Sequence, residues 1–228
     1  MSDGNSTTLT HDPYAEQRAA MIQAQIRRRG VTDERVLHAM ASVPRHEFVP
    51  PDLRSRAYQD EPLPIGGGQT ISQPYIVAAM LAALSLTGTE KVLEIGTGCG
   101  YQAALLTLLA ADIFSVEYLP ELARSASERL EKLGFLNVHV HCGDGSAGLP
   151  EFAPYDGIIV SAAAPSLPEP LLRQMADEGR MIVPVGPEDH QELVLVTKHG
   201  DDFSFERRDP CRFVPLLGRF GRQDWGPR

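Results

Sequence analysis

Long apolar runs are missing from this chain. No stretch of about 18 consecutive apolar residues occurs, so no membrane-spanning helix is expected. Cysteine is scarce: the three present, Cys99, Cys142 and Cys211, are odd in number and never spaced as CxxC. That argues against a disulfide framework or a thiolate zinc site, so no metal is expected, and a reducing cytoplasm is the simple reading. Positive charge is in deficit, with 21 Lys and Arg against 30 Asp and Glu and a formal net charge of −9. A broad nucleic-acid face needs the opposite balance. A local basic cluster, Arg27 to Arg29, precedes Gly30, where cations complement the dipole at a helix end. The first residues, MSDGNSTTLTHDP, lack the apolar core of a signal peptide and read as a disordered tail over 1–13. What remains has globular proportions, 43% hydrophobic and 22% charged over 228 residues, enough for one domain with an appended segment.

The chain is organised around VLEIGTGCGY at 92–101. A buried-strand pattern ends in the alternating glycines Gly96, Gly98 and Gly100, and a helix-compatible apolar run starts at Tyr101. Strand, glycine turn and helix bring backbone close to a nucleotide-like ligand. A dinucleotide fingerprint is spaced G-x-G-x-x-G and seats a pyrophosphate. Here the spacing is G-x-G-x-G with Glu94 just before it. An acid there repels a pyrophosphate and suits a cationic amino-acid moiety, which favours S-adenosylmethionine over a nicotinamide dinucleotide. Cys99, between two of the glycines, has no evident base partner and reads as a small loop residue.

Before the loop, apolar positions at Ala15, Ala19, Ile22 and Ile26 predict a helix over 14–29. A second helix is expected from an N-cap at Thr32, ending at Val43-Pro44, followed by an irregular segment. A third is predicted over 75–86 with Ser72 or Gln73 as its cap. Beyond the loop, strands at 113–117, 137–141, 155–161 and 180–185 alternate with helices at 120–133 and 168–178. This is the pattern of an α/β, doubly wound, Rossmann-like fold with a mostly parallel sheet. A hairpin over 191–198 and 203–207 should add antiparallel C-terminal strands at the sheet edge. The expected division is a tail over 1–13, an N-terminal helical, substrate-side subdomain over 14–73 and a core over 74–228.

Glu117 ends the strand after the loop, where a carboxylate can accept from both ribose hydroxyls. Asp144-Gly145 follows the next strand, where an acid could accept from an adenine amine and the glycine would let the ring lie close. Together with Glu94 and the glycines, these stand at successive carboxyl ends of strands, where α/β sheets bind ligands.

The sequence resembles the protein-L-isoaspartate (D-aspartate) O-methyltransferase family from about residue 17 onward. The resemblance rests on Gln25-Ile26 with Arg29-Gly30-Val31, PRHEFVP at 44–50, QTISQP at 69–74, the glycine loop, GDG at 143–145, PYDGIIVSAAAP at 154–165, GRMIVPVG at 179–186 and RFVPL at 212–216. It implies a methyltransferase-type fold and methyl transfer from S-adenosylmethionine to the free carboxylate of L-isoaspartyl and D-aspartyl residues in damaged proteins. The ester then collapses to a succinimide. Cofactor contacts are implied for Glu94, Gly96, Thr97, Gly98, Gly100, Tyr101, Glu117, Tyr118, Asp144 and Gly145. Peptide contacts are implied for Thr70, Ile71, Ser72, Val214 and Pro215. The acceptor carboxylate is already ionised at neutral pH and needs no base, so Ser72 is expected to orient it, a role that competes with simple helix capping. Arg45 and His46 read as packing or loop-anchoring residues, and Asp156 as structural or as a support behind the site. A monomer acting on damaged proteins, without nucleic acid or membrane, is expected. Three rivals remain: a methyltransferase of this fold with another acceptor, a non-catalytic adenosylmethionine-binding module, and an NAD-dependent oxidoreductase. Intact Thr70-Ile71-Ser72 disfavours the second, and loop spacing with Glu94 disfavours the third.

Overall fold

A computed structural model describes residues 12–222. Most of the expected tail lies outside them. Asp12, at its end, is tied down by a 2.6 Å ion pair with Arg18.

The predicted first helix is divided. α1 spans Ala15–Met21, widens to a π-turn over Ile22–Ile26 and tightens to a 3₁₀ turn over Arg27–Arg29. Gly30 then stops it in the left-handed region, at φ +96°. α2 (Glu34–Ser42) is capped by Asp33, not Thr32: the Asp33 carboxylate accepts from the amides of Arg35 and Val36. A short hairpin follows, β1 (Leu63–Gly66) with β2 (Gln69–Ile71), turning at Gly67 and Gly68. Its strands are too short to show an alternating pattern in sequence. α3 (Pro74–Leu84) begins with Pro74 at its first position and Gln73 at the N-cap. No side chain caps it, so Ser72 is not a helix cap.

The remaining elements are β3 (Lys91–Ile95), α4 (Tyr101–Leu106), β4 (Asp112–Glu117), α5 (Pro120–Lys132), β5 (Val138–Cys142), β6 (Tyr155–Val160), α6 (Glu169–Arg173), β7 (Met175–Val185), β8 (Gln191–His199) and β9 (Asp202–Cys211). β3 to β9 form one seven-stranded sheet in the order β5-β4-β3-β6-β7-β8-β9. Pairings from β5 to β7 are parallel, and those of β7, β8 and β9 antiparallel, as the hairpin predicted. One helix was overextended. α6 stops at Arg173 and the chain enters β7 at Met175, with a register shift before Arg180 and Glu178 at φ +58°. Gly179 belongs to that bulge, since a β-carbon there would lie 2.8 Å from the Ala176 carbonyl. Asp156 is structural: its carboxylate accepts from the Lys91 amide at 2.8 Å, tying β6 to the start of β3.

The N-terminal segment shares a core with the sheet. Met21, Ile26, Met40 and Phe48 pack in one cluster with Met80, Val92 and Tyr101. Phe48 meets the Tyr101 ring edge-on at 5.5 Å. The carboxyl ends of β3, β4 and β6 therefore open toward the loops of the N-terminal segment.

Candidate active site

Sequence-local forces shape the glycine loop. Gly96, Gly98 and Gly100 all have positive φ, at +92°, +56° and +87°, which L side chains rarely adopt. Gly100 also carries α4 against α5, with Leu130 3.3 Å from where a β-carbon would stand. The loop lines a cavity together with Thr70, Ile71, Ser72, Val214 and Pro215 on one side and Glu117, Tyr118 and Gly145 on the other. Thr97 and Tyr101 belong to the wall as well. The two groups implied for cofactor and acceptor thus meet in one space.

Glu117, at the tip of β4, is nearly buried, at 6% exposure. One oxygen accepts from the Gly98 amide at 2.8 Å and the other from the Leu119 amide at 2.9 Å. Each oxygen keeps a lone pair, so the carboxylate can fix the loop and still accept from two hydroxyls. Gly145 leaves a flat place in the wall, where a β-carbon would stand 2.8 Å from Ile95. Thr97 is oriented by a 2.6 Å hydrogen bond with Ser115.

Three implied cofactor residues are not in the wall. Gly100 sits behind it, serving helix packing. Glu94 is fully buried, accepting from Ser115 and, at 3.1 Å, from Gln102. Burial pushes its carboxyl up to about 8; the two hydrogen bonds oppose this and the nearby Glu117 charge adds to it. Gln102 links Glu94 to the cavity, since its amide also donates to Ser161 at 2.7 Å and both Gln102 and Ser161 line the wall. Asp144 turns away. Its carboxylate caps the turn Gly145–Ala147 through the Ser146 amide and accepts from the Arg219 amide at 2.8 Å. The C-terminal segment thereby engages the carboxylate assigned to an adenine. Sequence reasoning missed Gln102 and Ser161. Ser161 directly follows β6, so the rule of strand carboxyl ends could have found it.

Ser72 lies on the other wall. Its hydroxyl has no hydrogen-bond partner among the described residues, while its carbonyl accepts from Arg45 at 2.9 Å. Arg45 is fully buried, without a carboxylate beside it, and also donates to the Ala57 carbonyl at 2.7 Å. Burial lowers its pKa. His46 points elsewhere, within 2.7 Å of the Tyr58 hydroxyl and stacked on Tyr14 at 4.1 Å. Desolvation lowers its pKa. The two residues are loop anchors. Val214 and Pro215 are held by backbone: the Ala163 amide donates to the Val214 carbonyl and the Leu216 amide to the Ala163 carbonyl, both at 2.8 Å. Among the described residues, no group of three His, Cys, Asp or Glu is placed to hold a metal, and no helix is long and apolar enough to cross a membrane.

The arrangement offers a strand-end carboxylate with acceptor capacity left and an unengaged hydroxyl in one cavity. Comparison with known proteins gives the family. Residues 16–221 match the family model described as protein-L-isoaspartate(D-aspartate) O-methyltransferase. A protein-L-isoaspartate O-methyltransferase of Methanoculleus marisnigri is 52% identical over 213 residues, 93% of this chain and 96% of the relative. One of Picosynechococcus sp. is 53% identical over 207 residues, 91% of this chain and 93% of the relative. Among solved structures, a protein-L-isoaspartate O-methyltransferase aligns with TM-score 0.80 at 32% identity, covering 90% of this chain and 67% of that one. The fold also matches, at TM-score 0.75, 22% identity and coverage of 91% and 99%, a Plasmodium falciparum protein crystallised with S-adenosyl-L-homocysteine.

Proposed function

The chain belongs to the protein-L-isoaspartate(D-aspartate) O-methyltransferase family, and we propose that the cavity between the glycine loop and Ser72 is where it methylates the free carboxylate of isoaspartyl residues in damaged proteins. The carrying observation is the single cavity that joins Glu117 and the glycine loop to Thr70, Ser72 and Pro215.

S-adenosylmethionine, when bound, supplies a methyl group on a sulfonium centre. The residues present fit it. Glu117 has acceptor capacity left for the ribose hydroxyls, Gly145 a flat surface for a ring, and Gln102 a polar wall backed by the Glu94 carboxyl, whose ionised form a cationic ligand would favour. On the acceptor side, Ser72 donates its hydroxyl to the substrate carboxylate and sets its angle of attack. Arg45 holds the Ser72 backbone, so the residue that carries the hydroxyl is in place before substrate arrives. Backbone around Val214 and Pro215 accommodates peptides of varied sequence. No proton moves in the transfer, because the attacking carboxylate is already ionised. Ester formation brings opposite charges together and cancels them, which a water-poor cleft favours. The methyl ester closes to a succinimide when the adjoining backbone amide nitrogen attacks the ester carbonyl and methanol leaves, and D-aspartyl residues present a carboxylate to the same site. The same reading has the protein acting as a cytoplasmic monomer, in keeping with three free cysteines.

Labelled S-adenosylmethionine and paired isoaspartyl and aspartyl peptides test this reading. Base-labile label is expected on the isoaspartyl member only; equal label on both, or none on either, overturns it.

A further inference from the structure

The acceptor wall opens into a second cavity. It shares Thr70, Ser72, Ser161 and Val214 with the first and continues past Pro210 to Phe213. An acceptor carboxylate at Ser72 therefore places its flanking residues in this second space. Among the described residues, Arg212 is the only charged one in its lining. The backbone next to Arg212 is fixed: the Gln191 side chain accepts from the Phe213 amide at 2.7 Å and donates to the Phe213 carbonyl at 3.3 Å. The Arg212 side chain is exposed and has no ion pair or hydrogen bond among the described residues. Its neighbours differ. Arg207 pairs with Glu192 at 3.0 Å, Arg208 with Glu206 at 2.7 Å and Arg222 with Glu188 at 3.3 Å. On a protein of net charge −9, an unpaired cation beside the acceptor site offsets a field that repels anionic peptides.

We propose that Arg212 is a specificity-determining residue that selects substrates carrying an acidic side chain next to the isoaspartyl residue. This rests on the acceptor assignment above. The guanidinium can meet a carboxylate bidentately without giving up a partner of its own. The pair would sit at a wet rim, so the gain is modest and salt-sensitive.

The test uses isoaspartyl peptides that differ only in Glu or Gln at the two positions on either side of the isoaspartyl residue. For the wild-type protein at low salt, kcat/KM should favour Glu over Gln about threefold at one or more positions, from an interaction of exposed-pair strength. The ratio should fall toward one at high salt. It should be kept by Arg212→Lys, lost in Arg212→Gln and inverted in Arg212→Glu. The Gln peptide serves as the internal measure of folding and basal turnover. Equal use of both peptides by the wild type, or an unchanged ratio in Arg212→Gln, overturns the proposal. So does an equal loss on both peptides, which would place Arg212 on the acceptor carboxylate itself. Absence of label on every isoaspartyl peptide would overturn the parent reading instead.

Discussion

The two walls of the cavity are built differently. On the cofactor side, polar side chains are engaged before any ligand arrives: Glu117 with two amides, Thr97 with Ser115, and Gln102 with Glu94 and Ser161. They stand at the ends of β3 and β4 or in the first turn of α4, on the rigid part of the sheet. On the acceptor side, the residues come from a short hairpin and a C-terminal stretch, fixed through backbone, and the Ser72 hydroxyl has no partner among the described residues. One ligand is the same at every turnover and the other varies with each damaged site. A preformed polar cradle suits the first, whereas held backbone with one free hydroxyl suits the second.

Substitutions that separate cofactor affinity from turnover sharpen the contrast. Glu117→Ala should cost the most. It removes the anchor of the Gly98 amide and the acceptor of two hydroxyls, so the Kd for S-adenosylhomocysteine should rise about a hundredfold, the size of two charge-assisted hydrogen bonds. Titration calorimetry checks it, and a Kd within threefold of wild type would detach Glu117 from the cofactor. Ser72→Ala should do the converse. Loss of one orienting donor predicts a kcat lower by about thirtyfold with the cofactor Kd unchanged. Near-normal turnover would remove Ser72 from the mechanism.

The two sides were also unequally legible. The cofactor side follows from local rules: alternating glycines, a strand before them, and acids at the next strand ends. Those rules bring Glu117 to the cavity wall because the end of a strand is nearly a one-dimensional fact. They do not reveal that Glu94 and Asp144 stand outside the cavity wall, because whether a carboxylate faces a cavity or a neighbour depends on packing: Glu94 is sealed behind Gln102, and Asp144 is engaged by a C-terminal amide. The acceptor side could be named only through family resemblance. Thr70 to Ser72 and Val214 to Pro215 are far apart in sequence, and nothing in the pattern of either announces the other. The hairpin β1–β2, which carries Thr70, was invisible for the same reason, since its strands are too short for a periodic signal.

Arg45 tests whether held backbone matters on the acceptor side. Two of its nitrogens donate to the Ala57 and Ser72 carbonyls from a fully buried position. Lysine keeps the charge and loses the fork, leaving one buried carbonyl unmet. Arg45→Lys should lower kcat about tenfold through misplacement of Ser72, lower the melting temperature by several degrees, and leave the cofactor Kd in place. A fall in melting temperature with full turnover would reduce Arg45 to a packing residue.

The smallest effect probes Glu94, an acid on the cofactor side that reaches the cavity only through Gln102. Its carboxyl is neutral below about 8 in the free protein, and a cationic ligand favours the ionised form. Cofactor binding should therefore release a proton and tighten as pH rises, by about fivefold between pH 7 and 8 if the bound form stays ionised. Stability of the free protein should run the other way. A folded pKa near 8 against an unfolded value of 4.5 gives a contribution fully present below 4.5 and lost as pH climbs through 8. Glu94→Gln keeps the hydrogen bond to Ser115 or Gln102 but cannot titrate, so it should flatten both slopes. Calorimetry in two buffers of different ionisation heat reads the proton directly. Binding with no proton release at pH 7 would mean that the charge behind Gln102 is not felt across the wall, and that the cofactor side recognises its ligand by Glu117 and loop backbone alone.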